Sequence, residues 1–361
     1  HSINDRIVKL DILGHDDPTM IRMLDNMLGE GYCKNIPVGD PDTMELFLST
    51  KSIGVSPEDI MTDVATYGVP ECGTRFVRQM ISDVKPKNFS DLLRISGYSH
   101  GTDVWLNNAQ DLIKNGTPTE DTISTRDDIM NWLINKGMEP SMAFGIMEWA
   151  RKGKAHKQGF KAEQEEAFKK ANIPEFYIKS CKTLQYLFPK AHAVAYVLSA
   201  YRIAYCKVHH PKEFYSAYFT IRAPKFDFVE VHKGINFMRS FIKNVGQQGT
   251  KASVNDKETA TYMELAVEML ARGFEFEDVD LYRSDAHQFI VTDKGLLPPL
   301  GAIGGIGGVA AENIVKARSK GPFISREDLR NRAKISNTAV EVLADLGVLE
   351  GLPETDQIEL F

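Results

Sequence analysis

The chain has 361 residues, of which 43% are hydrophobic and 25% are charged, and its net charge at pH 7 is −6. This composition is ordinary for a globular protein, and the length allows two or three domains with separate cores. No uninterrupted apolar run approaches the roughly 20 residues of a membrane span, and the charged opening is not typical of a signal peptide. The four scattered cysteines form no Cys-x-x-Cys pair, which argues against a zinc site and against a disulfide framework. We therefore expect a soluble, cytoplasmic protein with buried or half-buried thiols and no membrane contact.

The negative net charge means that a polyanionic partner has to bind at a local basic surface. Residues 151–170 are one candidate, since they carry seven Lys and Arg residues against three Glu residues. By itself such a run is more often a solvated helix face than a track for DNA.

The chain opens with the pattern of one strand and one helix. Residues 6–13 alternate apolar and polar side chains and then become apolar, which predicts a buried strand that carries one carboxylate, Asp11. Asp17 and Pro18 match an N-cap and a first-turn proline, and they predict a helix through Leu28.

From residue 41 to about residue 224 the pattern is repeatedly helical. Residues 191–208 are the most apolar stretch of this region, and they predict a largely buried helix. Signals for helix starts recur at four places, which are Asp40, Ser56, Ser90 and Thr125.

The pattern changes beyond residue 246. Residues 246–256 are polar and contain glycine, and residues 257–272 are helical again. Residues 274–292 alternate weakly, which predicts one or two short strands. Two linked helix pairs follow, at residues 299–318 and 324–349. The predicted fold class is therefore mainly α with a small α/β portion.

Residues 300–310 (Leu-Gly-Ala-Ile-Gly-Gly-Ile-Gly-Gly-Val-Ala) are the sharpest local motif. Gly305 and Gly307 flank Ile306, and this spacing suits a tight turn between two short helices, because glycine tolerates positive φ and lets a phosphate approach the backbone. The N–H groups that open the next helix then form an anion site. The motif resembles the helix-hairpin-helix, which binds DNA backbones without sequence preference, and Lys316 follows it as a further candidate for DNA contact. The alternative is a glycine-rich turn that only lets two helices pack closely.

The end of the chain is a second motif. Residues 351–356 cannot extend the preceding helix, and they are typical of a spacer. The last five residues resemble the peptide by which bacterial polymerases bind the sliding clamp, which fills an apolar pocket on the ring. The candidate clamp-binding residues are Gln357, Leu360 and Phe361. The alternative is a hydrophobic terminus that folds back onto its own domain.

A lone carboxylate on a strand is usually structural, so the interpretation of Asp11 depends on the residues around it. Residues 8–19 closely resemble the motif around the third metal-binding aspartate of PolC-type bacterial replicative polymerases, the DNA polymerase III alpha subunits of low-GC Gram-positive bacteria. Four further segments resemble the fingers of that family in the same order, namely residues 71–80, 94–105, 126–130 and 188–193. With the hairpin and the tail, the resemblance spans essentially the whole chain.

The resemblance implies four parts in chain order. Residues 1–30 are expected to form the end of the polymerase palm, 31–255 the fingers, 256–349 a helix-hairpin-helix domain that binds DNA and the clamp, and 350–361 a flexible clamp-binding tail. The implied function is that of a replicative DNA-directed DNA polymerase in the bacterial cytoplasm, associated with the nucleoid. The implied partners are primer–template DNA, deoxynucleoside triphosphates, the sliding clamp and other replisome subunits.

The resemblance also implies a catalytic centre that is shared with a segment outside this sequence. Such polymerases join a primer 3′-hydroxyl to the α-phosphate of a nucleotide with two Mg²⁺ ions, and hard dications need oxygen ligands. Asp11 matches the third aspartate of the family, and Lys9 lies on the same strand face as a candidate to neutralise phosphate charge. The other two aspartates precede this sequence in the family, so we expect the chain to begin partway through an active site and to be inactive alone.

The finger-like segments contain the residues that match the family's nucleotide pocket, which are Ser99, His100, Lys190 and His192. We expect the two histidines and the lysine to contact the triphosphate, and the serine to lie near the base. Three arginines are further candidates for phosphate contacts, Arg75, Arg78 and Arg126, although arginines commonly form surface ion pairs. Tyr98 or Phe188 is a candidate for an aromatic wall beside the base, and the alternative is that both belong to the core.

A second interpretation comes from another functional class. A non-catalytic module that binds DNA and tethers the clamp needs only the hairpin and the tail, without a metal site. Binding of Mg²⁺ and a deoxynucleotide distinguishes the two interpretations. A repair lyase or glycosylase built on the hairpin is a third interpretation, but the finger-like segments have no place in it.

Overall fold

The structure, a computed structural model, describes residues 15–356. Asp11 and Lys9 on the predicted strand, and the predicted clamp-binding residues Gln357, Leu360 and Phe361, lie outside the described residues. Within the described part the fold is helical with one small three-stranded sheet, which confirms the predicted fold class. No helix between residues 15 and 356 is long and apolar enough to cross a membrane. All four cysteines are buried and free, as predicted.

The described residues form the helices α1 to α19. The bounds of α1 to α8 are Asp17–Leu28, Pro41–Glu45, Pro57–Ile60, Arg75–Val84, Phe89–His100, Gln110–Lys114, Arg126–Asn135 and Pro140–Ala150. Those of α9 to α16 are Lys154–Gln158, Ala162–Lys170, Glu175–Thr183, Lys190–His209, Pro211–Ile221, Phe228–His232, Ile235–Gln248 and Val254–Ala271. Those of α17 to α19 are Gly308–Arg318, Arg326–Ala333 and Asn337–Asp345.

Three of the four helix starts predicted between residues 41 and 224 agree with the structure. The side chains of Asp40 and Ser56 accept backbone N–H groups at the starts of α2 and α3, as N-caps do. Helix α7 begins directly after Thr125, also as predicted. The start predicted at Ser90 was wrong by two residues, because the N-cap of α5 is Asn88, whose side chain accepts the N–H of Asp91.

Helix α12 is the long central element that positions the site. It runs through the predicted segment 191–208 and packs against α1, α2, α5, α7 and α13. It is only partly buried, since Ala191, Val194 and Ala195 are exposed near its start. The start of α12 therefore faces solvent, while its later turns lie in the core.

The small sheet joins the helical body to the last three helices. Its strands are β1 (Glu275–Phe276), β2 (Ile290–Val291) and β3 (Gly295–Leu297), in the order β1-β3-β2. Strand β3 pairs parallel with β1 and antiparallel with β2. The two short strands predicted between residues 274 and 292 are confirmed. Strand β3 was missed because all three of its residues are buried, so that it shows no alternation.

The three C-terminal helices follow the predicted pairing only in part. A single turn of 3₁₀ helix (Leu300–Ala302) precedes α17, where the sequence predicted a full helix. The second predicted pair, at residues 324–349, is present as α18 and α19.

A buried ion pair fixes a long loop between α3 and α4. Lys207 on α12 is fully buried, and its Nζ lies 2.8 Å from the carboxylate of Glu268 on α16. The same ammonium donates hydrogen bonds to the backbone oxygens of Ala65 (2.6 Å) and Tyr67 (2.7 Å). Tyr215 donates to Glu268 at 2.7 Å, so the carboxylate has two partners. The loop between α3 and α4 is therefore held by the fully buried ammonium group of Lys207.

Candidate functional site

A cluster of histidine, carboxylate and aromatic side chains lies where the end of α5 meets the start of α12. We call it the histidine cluster. The loop before α4 adds the carboxylate, and the segment before α1 adds one more imidazole. Its members are His15, Glu71, His100, Phe188, His192 and Tyr196.

His100 is the central group of the histidine cluster. Its Nε2 lies 3.0 Å from Oε2 of Glu71, and its Nδ1 lies 2.7 Å from the backbone oxygen of Ser96. Both partners are acceptors, and an imidazole donates from both nitrogens only when it is protonated. The hydrogen bond to Glu71 raises the pKa of His100, against the effect of burial. The same hydrogen bond lowers the pKa of Glu71. The geometry therefore favours an imidazolium paired with a carboxylate.

The pKa of His192 is shifted in the opposite direction to that of His100. Burial and then the charge of His100 lower its pKa, so this imidazole is favoured in its neutral form. The centroids of the two histidine rings are 5.8 Å apart. The ring of Phe188 stacks on that of His192 with centroids 4.9 Å apart, and the Tyr196 ring lies 4.4 Å from His192. The histidine cluster thus places two imidazoles with opposite pKa shifts beside an aromatic surface.

Lys190 and Arg126 lie at the rim of the histidine cluster. The backbone N–H of Lys190 donates to the carboxylate of Asp127 at 2.7 Å, and its Nζ lies 3.6 Å from Asp128. The backbone N–H of Arg126 donates to the oxygen of Phe188 at 3.1 Å. The structure therefore brings together three separately predicted segments, those of His100, of Arg126, and of Lys190 and His192.

The other predicted nucleotide-site residues have different positions. Ser99 and His100 end helix α5 instead of forming a loop, and the Ser99 hydroxyl lies 3.2 Å from Nδ1 of His100. Arg75 is exposed on α4, four residues after Glu71, and among residues 15–356 no ion pair joins it to the cluster. The prediction that Tyr98 lines a pocket was wrong. It is 1% exposed and hydrogen-bonded to Thr122, so it belongs to the core.

Several members of the site were not singled out from the sequence. Glu71 adopts a left-handed backbone (φ +63°), which is uncommon outside glycine. Nothing in the local sequence indicates that it contacts His100. Tyr196 follows His192 by four residues on one helix, and that spacing is the one signal that could have identified it.

Asp17 was interpreted as a helix cap, and that interpretation was wrong. Its carboxylate is 2% exposed and pairs with Arg222, the residue directly after α13, at 2.8 Å. His15 lies 3.2 Å from the other oxygen of Asp17 and 3.7 Å from Glu71. Asp17 and Arg222 thus anchor the start of α1 next to the histidine cluster.

The described part of the chain does not form a metal centre. Among residues 15–356 no group of three or more His, Cys, Asp or Glu side chains is placed to hold a metal ion. In the histidine cluster, Glu71 is already paired with two imidazoles. The predicted metal site therefore depends on Asp11, outside the described residues.

The glycine motif forms a tight turn that leads into α17. Gly305 has φ +91°, a conformation that side chains rarely adopt, and Ile306 is 4% exposed. Gly307 is the N-cap of α17 in an ordinary extended conformation, and a Cβ added there would have no atom within 4 Å. Ile306 therefore anchors the turn in the core, while Gly307 leaves open space in front of the first N–H groups of α17.

Lys316 is not part of this turn. It is exposed in the last turn of α17, nine residues beyond Gly307, which corresponds to about 13 Å along a helix axis. A second turn of the same shape precedes α19. Lys334 has φ +53°, Ile335 is 7% exposed, and Ser336 is the N-cap with the same extended conformation as Gly307.

Comparisons with known proteins agree with this arrangement. Residues 17–173 match the family model of the bacterial DNA polymerase III alpha subunit finger domain, and residues 273–357 match that of the helix-hairpin-helix motif. The first match begins inside the segment that we predicted as palm. The two matches thus identify the class of the chain as a segment of a bacterial DNA polymerase III alpha subunit.

Individual relatives indicate which type of DNA polymerase III the chain resembles. The chain is 54% identical to DNA polymerase III PolC-type of Oceanobacillus iheyensis, 53% to that of Listeria innocua and 52% to that of Bacillus subtilis. Each alignment covers 100% of this chain and 25% of the relative. The chain belongs to the PolC-type DNA polymerase III family, and it spans about a quarter of the length of the curated relatives that it matches.

Proposed function

We propose that this chain is the nucleotide-binding and DNA-binding part of a replicative DNA polymerase, which adds deoxynucleotides to a primer 3′ end. The observation that carries the proposal is the close approach of the His100 and His192 rings, whose centroids are 5.8 Å apart, with Lys190 two residues before His192 on α12. His100 lies in the segment that matches the finger domain, and α12 follows that segment. Their charges and rings suit a nucleoside triphosphate.

Each group has a distinct role in this proposal. The His100 imidazolium and the Lys190 ammonium attract the triphosphate, and cations that are already oriented lose little entropy on binding. Neutral His192 offers one donor and one acceptor. Phe188, which is partly exposed and stacked on His192, takes the role of the aromatic wall beside the base. Arg126 and Ser99 would contribute further contacts, whereas Arg75 would act at most from the rim.

The metal-binding part of the proposal rests on Asp11. Two Mg²⁺ ions held by Asp11 and by two aspartates outside this sequence would supply an activated 3′-hydroxyl and charge stabilisation at the reacting phosphate. Lys9 would lower the negative charge beside them.

The C-terminal part would hold DNA and the clamp. The turn at Gly305, Ile306 and Gly307 presents the first N–H groups of α17 to a backbone phosphate, and Lys316 would contact the duplex further along. The tail residues Gln357, Leu360 and Phe361 would bind the sliding clamp. Other replisome subunits and a nucleoid-associated cytoplasmic location belong to the same proposal.

The experiment compares two variants of the complete polymerase. We expect Asp11→Asn to nearly abolish nucleotide addition while primer–template binding stays largely intact. We expect His192→Ala to raise KM for deoxynucleotides by about 10-fold or more, with a smaller effect on primer–template binding. Single-nucleotide incorporation and DNA-binding measurements report the two quantities separately. Substantial activity of the Asp11 variant removes that residue from the metal site, and an unchanged KM of the His192 variant removes the cluster from the nucleotide site.

The alternative is a non-catalytic module that binds DNA and tethers the clamp. It is supported by the turn before α17, which needs no metal site. If the complete protein binds neither Mg²⁺ nor a deoxynucleotide, this alternative replaces the polymerase proposal.

A further inference from the structure

Lysine side chains around α9 lie beside two aromatic rings, of which Trp149 is partly exposed and Phe160 is buried. The Nζ atoms of Lys154 and Lys161 lie 4.9 and 5.1 Å from the ring centroid of Trp149. Lys182 on α11 lies 5.9 Å from the ring of Phe160, and the backbone oxygen of the same lysine is 3.1 Å from Nδ1 of His156. We call this the α9 basic surface. Its cations are Lys154, Lys157, Lys161 and Lys182.

The charge of this region opposes that of the rest of the chain. Residues 151–182 contain nine Lys and Arg and four Glu residues, a net charge of +5. The whole chain has a net charge of −6, so the remainder carries −11. Lys161 pairs with Glu163 at 3.6 Å. For Lys154, Lys157 and Lys182, residues 15–356 provide no carboxylate within ion-pair distance, so three ammonium groups remain available to an anion.

The α9 basic surface is continuous with the histidine cluster. Gly153, just before α9, packs so closely on the following segment that an added Cβ would lie 2.7 Å from the backbone oxygen of Gln185. The backbone N–H of Leu187 donates to the oxygen of Arg151 at 3.4 Å. Between them, Tyr186 is 45% exposed and its ring meets Phe188 edge-on at 5.1 Å. An exposed aromatic ring thus stands between the lysines and the proposed nucleotide site.

We propose that the α9 basic surface binds single-stranded DNA, as the unpaired template strand next to the nucleotide site. Lysines along a surface neutralise backbone phosphates, and an exposed aromatic ring stacks on bases without sequence preference. The cation–π contacts with Trp149 hold two ammonium groups in place before the strand binds. The position of the strand relative to the active site rests on the proposed polymerase function. The binding of single strands does not, because it follows from charge and aromatic exposure alone.

The test uses the 361-residue chain and a fluorescein-labelled oligothymidylate of about 20 nucleotides, a length that spans one site of this type. The variant combines Lys154→Gln, Lys157→Gln and Lys182→Gln. The matched control combines Lys243→Gln, Lys251→Gln and Lys257→Gln, which removes the same charge from exposed positions at a distance along the chain. Fluorescence anisotropy gives the dissociation constant as a function of salt concentration.

We expect the variant to bind about 10-fold more weakly at low salt and the control to bind nearly as the parent. The slope of log K against log salt should become shallower by about 2, since each phosphate contact on a single strand contributes about 0.7. Equal affinities of variant and parent overturn the proposal, and so does an equal loss in the control. Circular dichroism of both variants establishes that they are folded.

Two further measurements separate this proposal from others. Tyr186→Leu should weaken binding of the oligothymidylate and leave binding of poly-glutamate unchanged, because only bases stack on the ring. If poly-glutamate competes as well as the oligonucleotide, with the same dependence on the three lysines, the surface binds any polyanion and the proposal fails. Deoxynucleotide affinity is measured in parallel, so that failure of the histidine cluster as a nucleotide site remains distinguishable from failure here.

Discussion

The histidine cluster and the turn before α17 are both suited to phosphate groups, but they are built in different ways. The histidine cluster takes side chains from residues 71, 100 and 192, and its charge depends on which of its imidazoles holds a proton. The turn is formed by consecutive residues, and its donors are backbone N–H groups whose charge state never changes. The first site is therefore sensitive to pH and to distant support, whereas the second depends on local conformation.

The distant support of the histidine cluster can be traced through the loop that carries Glu71. Lys207 holds the backbone oxygens of Ala65 and Tyr67. The hydroxyl of Thr66 then donates to the oxygen of Cys72 at 2.8 Å. Glu71 lies inside this braced segment in a left-handed conformation that the local sequence does not favour. Three variants test the contrast between the two sites.

The largest effect is expected from Lys207→Met. The substitution leaves the carboxylate of Glu268 buried without its cation and frees two backbone oxygens, so we expect the free energy of unfolding to fall by about 3–5 kcal/mol. Denaturant unfolding measures this loss. Lys243→Met, at an exposed position on α15, is the control and should change stability by less than about 0.5 kcal/mol. Similar values for both variants would show that the buried pair does not brace the loop.

An intermediate effect is expected from Gly305→Ala. The residue has φ +91°, so we expect a loss of about 1–3 kcal/mol in the free energy of unfolding, together with weaker binding of duplex DNA. Gly307→Ala is the matched variant. Its backbone is unstrained and its surroundings are open, so stability should change by less than about 0.5 kcal/mol while duplex binding weakens, because the methyl group obstructs the phosphate. Unchanged duplex binding by both variants would leave the turn with a packing role only.

The smallest effect on stability is expected from Glu71→Gln. This variant tests the pH dependence of the histidine cluster specifically. Glu71 raises the pKa of His100, so the stabilisation from this imidazolium is complete below the ordinary histidine pKa of about 6.5 and is lost as pH rises through the raised value. Glu71 itself has a lowered pKa, so its contribution is present above about 4.5 and is lost as pH falls through the lowered value. Without the carboxylate, deoxynucleotide affinity should begin to decline at a lower pH than in the parent.

Deoxynucleotide affinity between about pH 5.5 and 9 measures this shift across the ordinary histidine pKa, and NMR titration of the His100 imidazole assigns it. Stability near neutral pH should change by about 1 kcal/mol or less, since the pair is partly exposed. Glu350→Gln, at an exposed position, should leave the pH profile unchanged. An identical profile for the Glu71 variant would exclude His100 as the titrating group.

The sequence by itself determined the features that depend on neighbours along the chain. The glycine turn, the helix starts at Asp40, Ser56 and Thr125, and the helical pattern of α12 follow from local conformational preferences and capping. The resemblance of scattered segments to PolC fingers also identified His100, His192, Lys190 and Arg126 before any contact between them was known.

Only the tertiary structure decided the pKa shifts, the burial and the ion pairs of the candidate residues. Long-range contacts raise the pKa of His100 through Glu71 and lower the pKa of His192 through burial. They also place Tyr98 in the core and make Asp17 the partner of Arg222 instead of a cap. The physical reason is that protonation, burial and ion pairing depend on atoms brought together from distant parts of the chain. Capping and turn formation depend on the next few residues alone.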